Sequence, residues 1–237
     1  MTNLFKNKKL WVFGGSSVFL VGALSLGFFY YKAQFSGDFT ERSPQSKFRI
    51  VYQAAQDIIT KLRQAKLTEL QGENLQGAYL RGFEYDNPSR VLRFDNADLR
   101  RADLTHSNLL RQVSFENANL EKAKLQNATW HFVIIRGANF KDAKMQGATI
   151  NTLFNTRAGE NIEELYNVSF KRAKMQETKI NGEVNDFTDF REARLQGADL
   201  SAVQNLRDAK LTGAVYDNST KLPFDDETAK RLGMIKI

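Results

Sequence analysis

Ala97-Asp98-Leu99-Arg100-Arg101 runs straight into Ala102-Asp103-Leu104, and this five-residue step decides the fold. The same order returns in Ala118-Asn119-Leu120, Ala138-Asn139-Phe140 and Ala198-Asp199-Leu200. From Leu70 to Tyr216 the unit is a small residue, a polar one, a large apolar one and two more polar ones. A period of five suits neither an amphipathic helix nor a half-buried strand, whose apolar residues recur every 3.6 and every two positions. So short a unit cannot bury its apolar residue alone and must stack on its neighbours. The pattern predicts a solenoid, with a function carried by a surface rather than a pocket.

The A-(D/N)-L-x-x units resemble those of the pentapeptide-repeat family throughout residues 70–216. The resemblance implies an all-β, right-handed quadrilateral β-helix in which four pentapeptides make one square coil. The central apolar residue and the small residue two before it would point inward, and the other three would face water. Ala123-Lys-Leu-Gln-Asn127, Ala143-Lys-Met-Gln-Gly147, Ala173-Lys-Met-Gln-Glu177 and Ala193-Arg-Leu-Gln-Gly197 set the register, with starts 20, 30 and 20 residues apart. One coil is then 20 residues, and the middle gap holds an insertion of about ten.

In this register the first face buries Leu80, Leu104, Leu125, Met145, Met175, Leu195 and Tyr216. The second buries Tyr85, Leu109, Trp130, Ile150, Ile180 and Leu200. Leu70, Phe94, Phe115, Ile135, Leu165, an irregular Asn185 and Leu206 fall on the third. Leu75, Leu99, Leu120, Phe140, Phe170, Phe190 and Leu211 fall on the fourth, where the phenylalanines should form an internal ladder. About seven coils at the ~4.8 Å spacing of paired strands make a rod some 34 Å long.

The net charge of +7 is not spread over the repeats. Residues 1–66 hold 10 Lys/Arg against 3 Asp/Glu, residues 67–216 hold 20 against 20, and residues 217–237 hold 4 against 4. A neutral rod offers no concentrated positive field to phosphates, so nucleic acid is not an expected partner. It also lacks the strong negative charge needed by the family's DNA-mimicking, gyrase-binding members. The absence of cysteine excludes disulfides and thiolate metal sites.

Leu10 to Tyr31 is uncharged for 22 residues, enough for a helix to cross the hydrocarbon layer. Lys6, Lys8 and Lys9 precede it, and Leu10 and Trp11 at one end with Tyr30 and Tyr31 at the other read as interfacial anchors. A secretory signal cleaved near Ala23-Leu24-Ser25 is the alternative. The excess of lysine before the segment places the N-terminus in the cytoplasm and the repeats on the far side. The expected organisation is a basic head at 1–9, a transmembrane helix at 10–31, a linker at 32–46, an amphipathic capping helix at 47–66, the β-helix at 67–218 and a C-terminal cap at 219–237. Val51, Ala54, Ala55, Ile58, Leu62 and Ala65 give the capping helix its apolar stripe, although its basic residues also suit a membrane surface. Asp225 is placed to cap a short helix over about 226–232, with Gly233 stopping it. The tail from Gly213 to Ile235 resembles that of cyanobacterial members, which implies a thylakoid or plasma membrane.

Departures from the five-residue step gather between the second and third faces: around Asn87-Pro88-Ser89-Arg90, near Leu110-Arg111-Gln112, in Asn151–Glu164 and in Ser201–Asn205. Insertions on one side of a solenoid often mark the side that binds. Asn87, Arg90, Arg157 and Glu160 are therefore the first candidate contact residues. A second candidate is the outward column Lys124, Lys144, Lys174 and Arg194, four like charges that cost stability when stacked. Gln126, Gln146, Gln176 and Gln196 run beside it and are expected to hydrogen-bond along the rod. His106 and His131 fall on different faces, and no catalytic motif, metal set or cofactor loop is present. The expectation is a non-enzymatic, membrane-anchored scaffold for a protein partner, with no cofactor and no small-molecule substrate. A purely structural spacer is its rival.

Overall fold

The computed structural model describes residues 11–13, 17–24, 27–34, 60, 69–87, 89–152 and 165–237. They belong to two units, residues 1–49 and 50–237. In the first, β1 (Trp11–Phe13), β2 (Ser17–Leu24) and β3 (Gly27–Gln34) form an antiparallel sheet in the order β1-β2-β3. Trp11 lies opposite Phe19, Tyr30 opposite Val21 and Tyr31 opposite Leu20. The sequence suggests a helix here. Among the described residues no helix is long and apolar enough to cross a membrane. The strands have a local cause: Val12, Val18, Val21 and the aromatic run Phe28 to Tyr31 suit extended backbone, and Gly22 and Gly27 weaken a helix.

The second unit is an all-β, right-handed solenoid of about seven turns. Its turns are joined by parallel pairing that repeats the sequence register. Asn119 pairs with Asn139, Lys124 with Lys144 and Thr129 with Thr149, each 20 residues on. Across the long insertion the step is 30, from Asn139 to Ser169 and from Lys144 to Lys174. The rungs are hydrogen-bonded in both directions, as where the Leu99 N–H donates to the Asn119 carbonyl at 2.8 Å and the Asn119 N–H to the Ala97 carbonyl at 2.9 Å. The inward leucines, methionines and alanines are almost wholly buried.

The two polar residues of each unit form the turn. After Phe94, for example, the Ala97 N–H returns to the Phe94 carbonyl at 3.0 Å and Asn96 takes a φ of 58°. A positive φ at the third residue of such a turn favours Gly or Asn. Gly137 is further constrained, since a Cβ there would lie 2.0 Å from Asn117 Oδ1.

The aromatic core exceeds the expected phenylalanine ladder. Phe140, Phe170 and Phe190 stack at centroid spacings of 5.4 and 4.9 Å. Phe94 and Phe115 on the third face stack at 4.9 Å, and Trp130 continues them at 4.7 Å. Trp130 also meets Phe140 at 6.4 Å and so links the two series, its indole N–H donating to Ser107 Oγ at 2.8 Å.

One inward assignment is corrected. At the third face of the sixth coil the buried residue is Val184, 1% exposed, and not Asn185. Asn185 stands one place on, where its Oδ1 accepts from the N–H groups of Asn167, Phe187 and Thr188. The side chain thereby replaces a backbone carbonyl that the irregular spacing has displaced. Asp217 repeats the device, accepting from the N–H groups of Gly197, Ser219 and Thr220. These bonds, led by that from the Ser219 hydroxyl, hold its carboxyl down at about 2.

At the far end α1 (Asp226–Arg231) begins at Asp225, whose carboxylate accepts from the Thr228 N–H at 2.8 Å. Ile235–Lys236 then pairs with Val215–Tyr216. Of the helix expected at 47–66 only Thr60 is described, and it is helical; the rest lies outside the described residues.

Candidate functional site

The edge between the second and third faces is built unlike the other three. Elsewhere the small inward position holds mostly alanine, but here Leu92, Val113 and Val133 fill it and are fully buried. The strand Thr129–Ile134 runs through this edge with a bulge between His131 and Val133. The bulged residue is Phe132, at φ 56° and 52% exposed. A bulky side chain in the left-handed region is uncommon and costs roughly 1–2 kcal/mol. Gln112 and Asn205 also take positive φ at this edge, as turn residues such as Arg101, Asn117 and Lys122 do at the other corners.

Around Phe132 the edge is polar. His131 Nδ1 lies 2.7 Å from Asn151 Nδ2. Arg111 pairs with Asp86 at 3.2 Å, both half exposed. Asn87 is half-buried, its Oδ1 accepting from the Ser89 N–H at 2.9 Å. Arg90 is exposed, and its carbonyl accepts from the Tyr85 hydroxyl at 2.9 Å. Burial there pushes the Tyr85 phenol up, with the Arg90 charge opposing. Arg157 and Glu160 lie outside the described residues, as does Leu10. Phe132 was not singled out by its sequence. Its one signal was a phenylalanine at a turn position that Gly or a polar residue fills elsewhere.

Lys124, Lys144, Lys174 and Arg194 stack rung on rung and are all exposed. Lys124 pairs with Asp103 at 3.7 Å, whereas among the described residues the other three make no ion pair. The amide ladder expected beside them does not form. The Oε1 atoms of Gln126, Gln146, Gln176 and Gln196 are buried without a hydrogen-bond partner. Stacking at strand spacing permits amide-to-amide bonds but does not impose the rotamer that makes them. Among the described residues no group of His, Asp and Glu side chains could hold a metal ion.

The family model for pentapeptide repeats matches residues 114–151 and 186–215. Among solved structures, one similar to this chain is HetL, a pentapeptide-repeat protein involved in heterocyst differentiation regulation from the cyanobacterium Nostoc sp. strain PCC 7120. The match has 22% identity over 67% of this chain and 80% of HetL, with a TM-score of 0.25. QnrB1, a plasmid-mediated fluoroquinolone resistance protein, matches at 16% identity over 72% of this chain and 85% of its own, with a TM-score of 0.30. Rfr23 from the cyanobacterium Cyanothece 51142 matches at 22% identity over 69% and 98%, with a TM-score of 0.23. Scores this low carry no argument about function. No curated protein matches the chain. The matched segments, residues 114–151 and 186–215, lie within the stacked coils and are similar to pentapeptide repeats.

Proposed function

We propose that this protein is a non-enzymatic scaffold that docks a protein partner on the edge between the second and third faces, held at a membrane by residues 10–31. The observation that carries the docking site is Phe132, a half-exposed aromatic ring kept in a strained backbone conformation on the edge where the insertions gather. Aromatic side chains set in a polar rim are the usual anchors of protein interfaces. Backbone strain that persists in a fold is a reason to look for function at that place. The membrane element rests on the 22 uncharged residues from Leu10 to Tyr31 and the lysines before them. On this reading the N-terminus is cytoplasmic and the repeats lie on the lumenal or periplasmic side of a thylakoid or plasma membrane.

A photo-crosslinking residue at position 132 in the full chain, activated in intact membranes, tests the docking site. One dominant protein adduct is expected, lost when residues 87–90 and 151–164 are both shortened. A ladder of unrelated adducts would mean a spacer without a specific ligand. An adduct that survives both deletions would place the contact elsewhere. Alkaline carbonate extraction tests the anchor: release of the full chain from the pellet would remove the membrane element.

A further inference from the structure

The neutral charge of the repeats conceals a division. The edge between the fourth and first faces lies diagonally across the coil from the Phe132 edge, because each coil passes through third, fourth, first and second faces in turn. On five successive coils its four outward columns, from Asp98 to Arg194, hold eleven Lys/Arg against six Asp/Glu. The rest of residues 67–216 holds nine against fourteen.

Each of the six acids is already paired within the edge. Asp98 holds Arg100 at 2.6 Å, Asp103 holds Lys124 at 3.7 Å and Glu121 holds Lys122 at 3.2 Å. Asp142 holds Arg172 at 2.7 Å, Asp189 holds Arg191 at 2.7 Å and Glu192 holds Lys171 at 3.6 Å. Five cations remain, and among the described residues Arg101, Lys141, Lys144, Lys174 and Arg194 make no ion pair. Lys144, Lys174 and Arg194 share one column on successive coils at the ~4.8 Å rise, and Arg101 and Lys141 stand in two neighbouring columns of the same edge.

We propose that this edge lies on an anionic bilayer surface, so that the Phe132 edge faces away from the lipid. Its chemistry separates a plane of headgroups from the other polyanions. Among the described residues none of the exposed large hydrophobic residues Phe132, Phe187, Ile235 and Ile237 belongs to these columns within the five coils, and Tyr79 stands one rung beyond them at the end of the Asp103 column. A protein interface would lack its aromatic anchor here, and a single-stranded nucleic acid would lack its stacking platform. What remains is a strip of long, unpaired cationic side chains along a rigid edge, which meets a flat layer of negative charge without needing a groove. The inference does not depend on the partner docked at the opposite edge.

The chain has no cysteine, so single labels can be placed at will. The full chain carrying a fluorophore at Ser169→Cys on the fourth face, or at Ser201→Cys on the second, is reconstituted with vesicles bearing nitroxide headgroups. The vesicles are phosphatidylcholine alone or mixed with phosphatidylglycerol. The label at 169 should be quenched only with phosphatidylglycerol and released by salt, while the label at 201 stays bright. Lys144→Gln, Lys174→Gln and Arg194→Gln together should lower the equilibrium constant for docking the 169 edge on phosphatidylglycerol vesicles by about a hundredfold, at roughly fivefold per lysine or arginine. The milder Gln variants guard against misfolding by charge reversal, and circular dichroism reports the fold of each. Equal quenching at 169 and 201, or quenching indifferent to phosphatidylglycerol, would overturn the inference. So would a chain that ignores these vesicles but is retained by polyglutamate or duplex DNA through the same cations. Recovery with the phosphatidylglycerol vesicles but no quenching at 169 would leave the anchor standing and the edge refuted.

Discussion

Replacing Phe132 with Asn should barely change stability while abolishing partner capture, and the two effects are worked out separately. Phe132 is 52% exposed, so of the 150–250 Å² a phenylalanine can bury it has removed about half, roughly 100 Å². At about 25 cal/mol per Å² that area contributes ~2.5 kcal/mol at most. Against this, Phe132 sits at φ 56°, a conformation that Asn adopts at Asn96, Asn117, Asn127, Asn167 and Asn205 in the same solenoid. Relief of the left-handed strain returns ~1–2 kcal/mol. The net loss should therefore be about 1 kcal/mol. Urea unfolding followed by circular dichroism measures it, and crosslinking from a neighbouring exposed position such as Arg111 measures capture. A loss above ~3 kcal/mol would show Phe132 to be a core residue, since that is the range for emptying a buried phenylalanine site. Retained capture at near-normal stability would remove the edge as a docking site.

The contrasting case is Phe170→Ala, fully buried and stacked on both sides, which should cost ~3–5 kcal/mol in the same unfolding assay. Gly137→Ala should be more damaging than Gly72→Ala. Both need a positive φ, worth about 1 kcal/mol, but a Cβ at 137 also strikes Asn117 whereas one at 72 meets nothing within 4 Å. Asp217 should steepen acid unfolding. Its pKa falls from 3.8 to about 2 on folding, so its contribution is present above pH ~4 and is lost as pH drops through about 2. Asp217→Asn should leave the fold intact, as Asn185 performs the same bonding uncharged, and should flatten that part of the pH profile of the melting temperature.

The legible part of the site was its address. The extra residues around Asn87, Leu110, Asn151 and Ser201 could be counted against a five-residue step, which placed the irregular edge before any coordinates. Phe132 was hidden because no residue is inserted or lost by count at 131–133. The bulge appears only when His131 and Val133 are paired to the next coil. The inward role given to Asn185 failed for a related reason. Counting in fives cannot see a side-chain oxygen standing in for a backbone carbonyl, which frees Val184 to turn inward.

The charge division was available in the register and still needed the structure. Columns are read from the repeat, but which acid neutralises which base depends on rotamers, and the five unpaired cations emerge only once six pairs are drawn. The sequence alone determined the solenoid, its faces and its 20-residue pitch, because those follow from local chain length and from burying one apolar residue per unit. Only the tertiary structure decided the conformation at the bulge, the continuity of the aromatic stack through Trp130 and the pairing of surface charges. Each of those depends on atoms from neighbouring coils meeting at a distance, a quantity that no spacing along the chain contains.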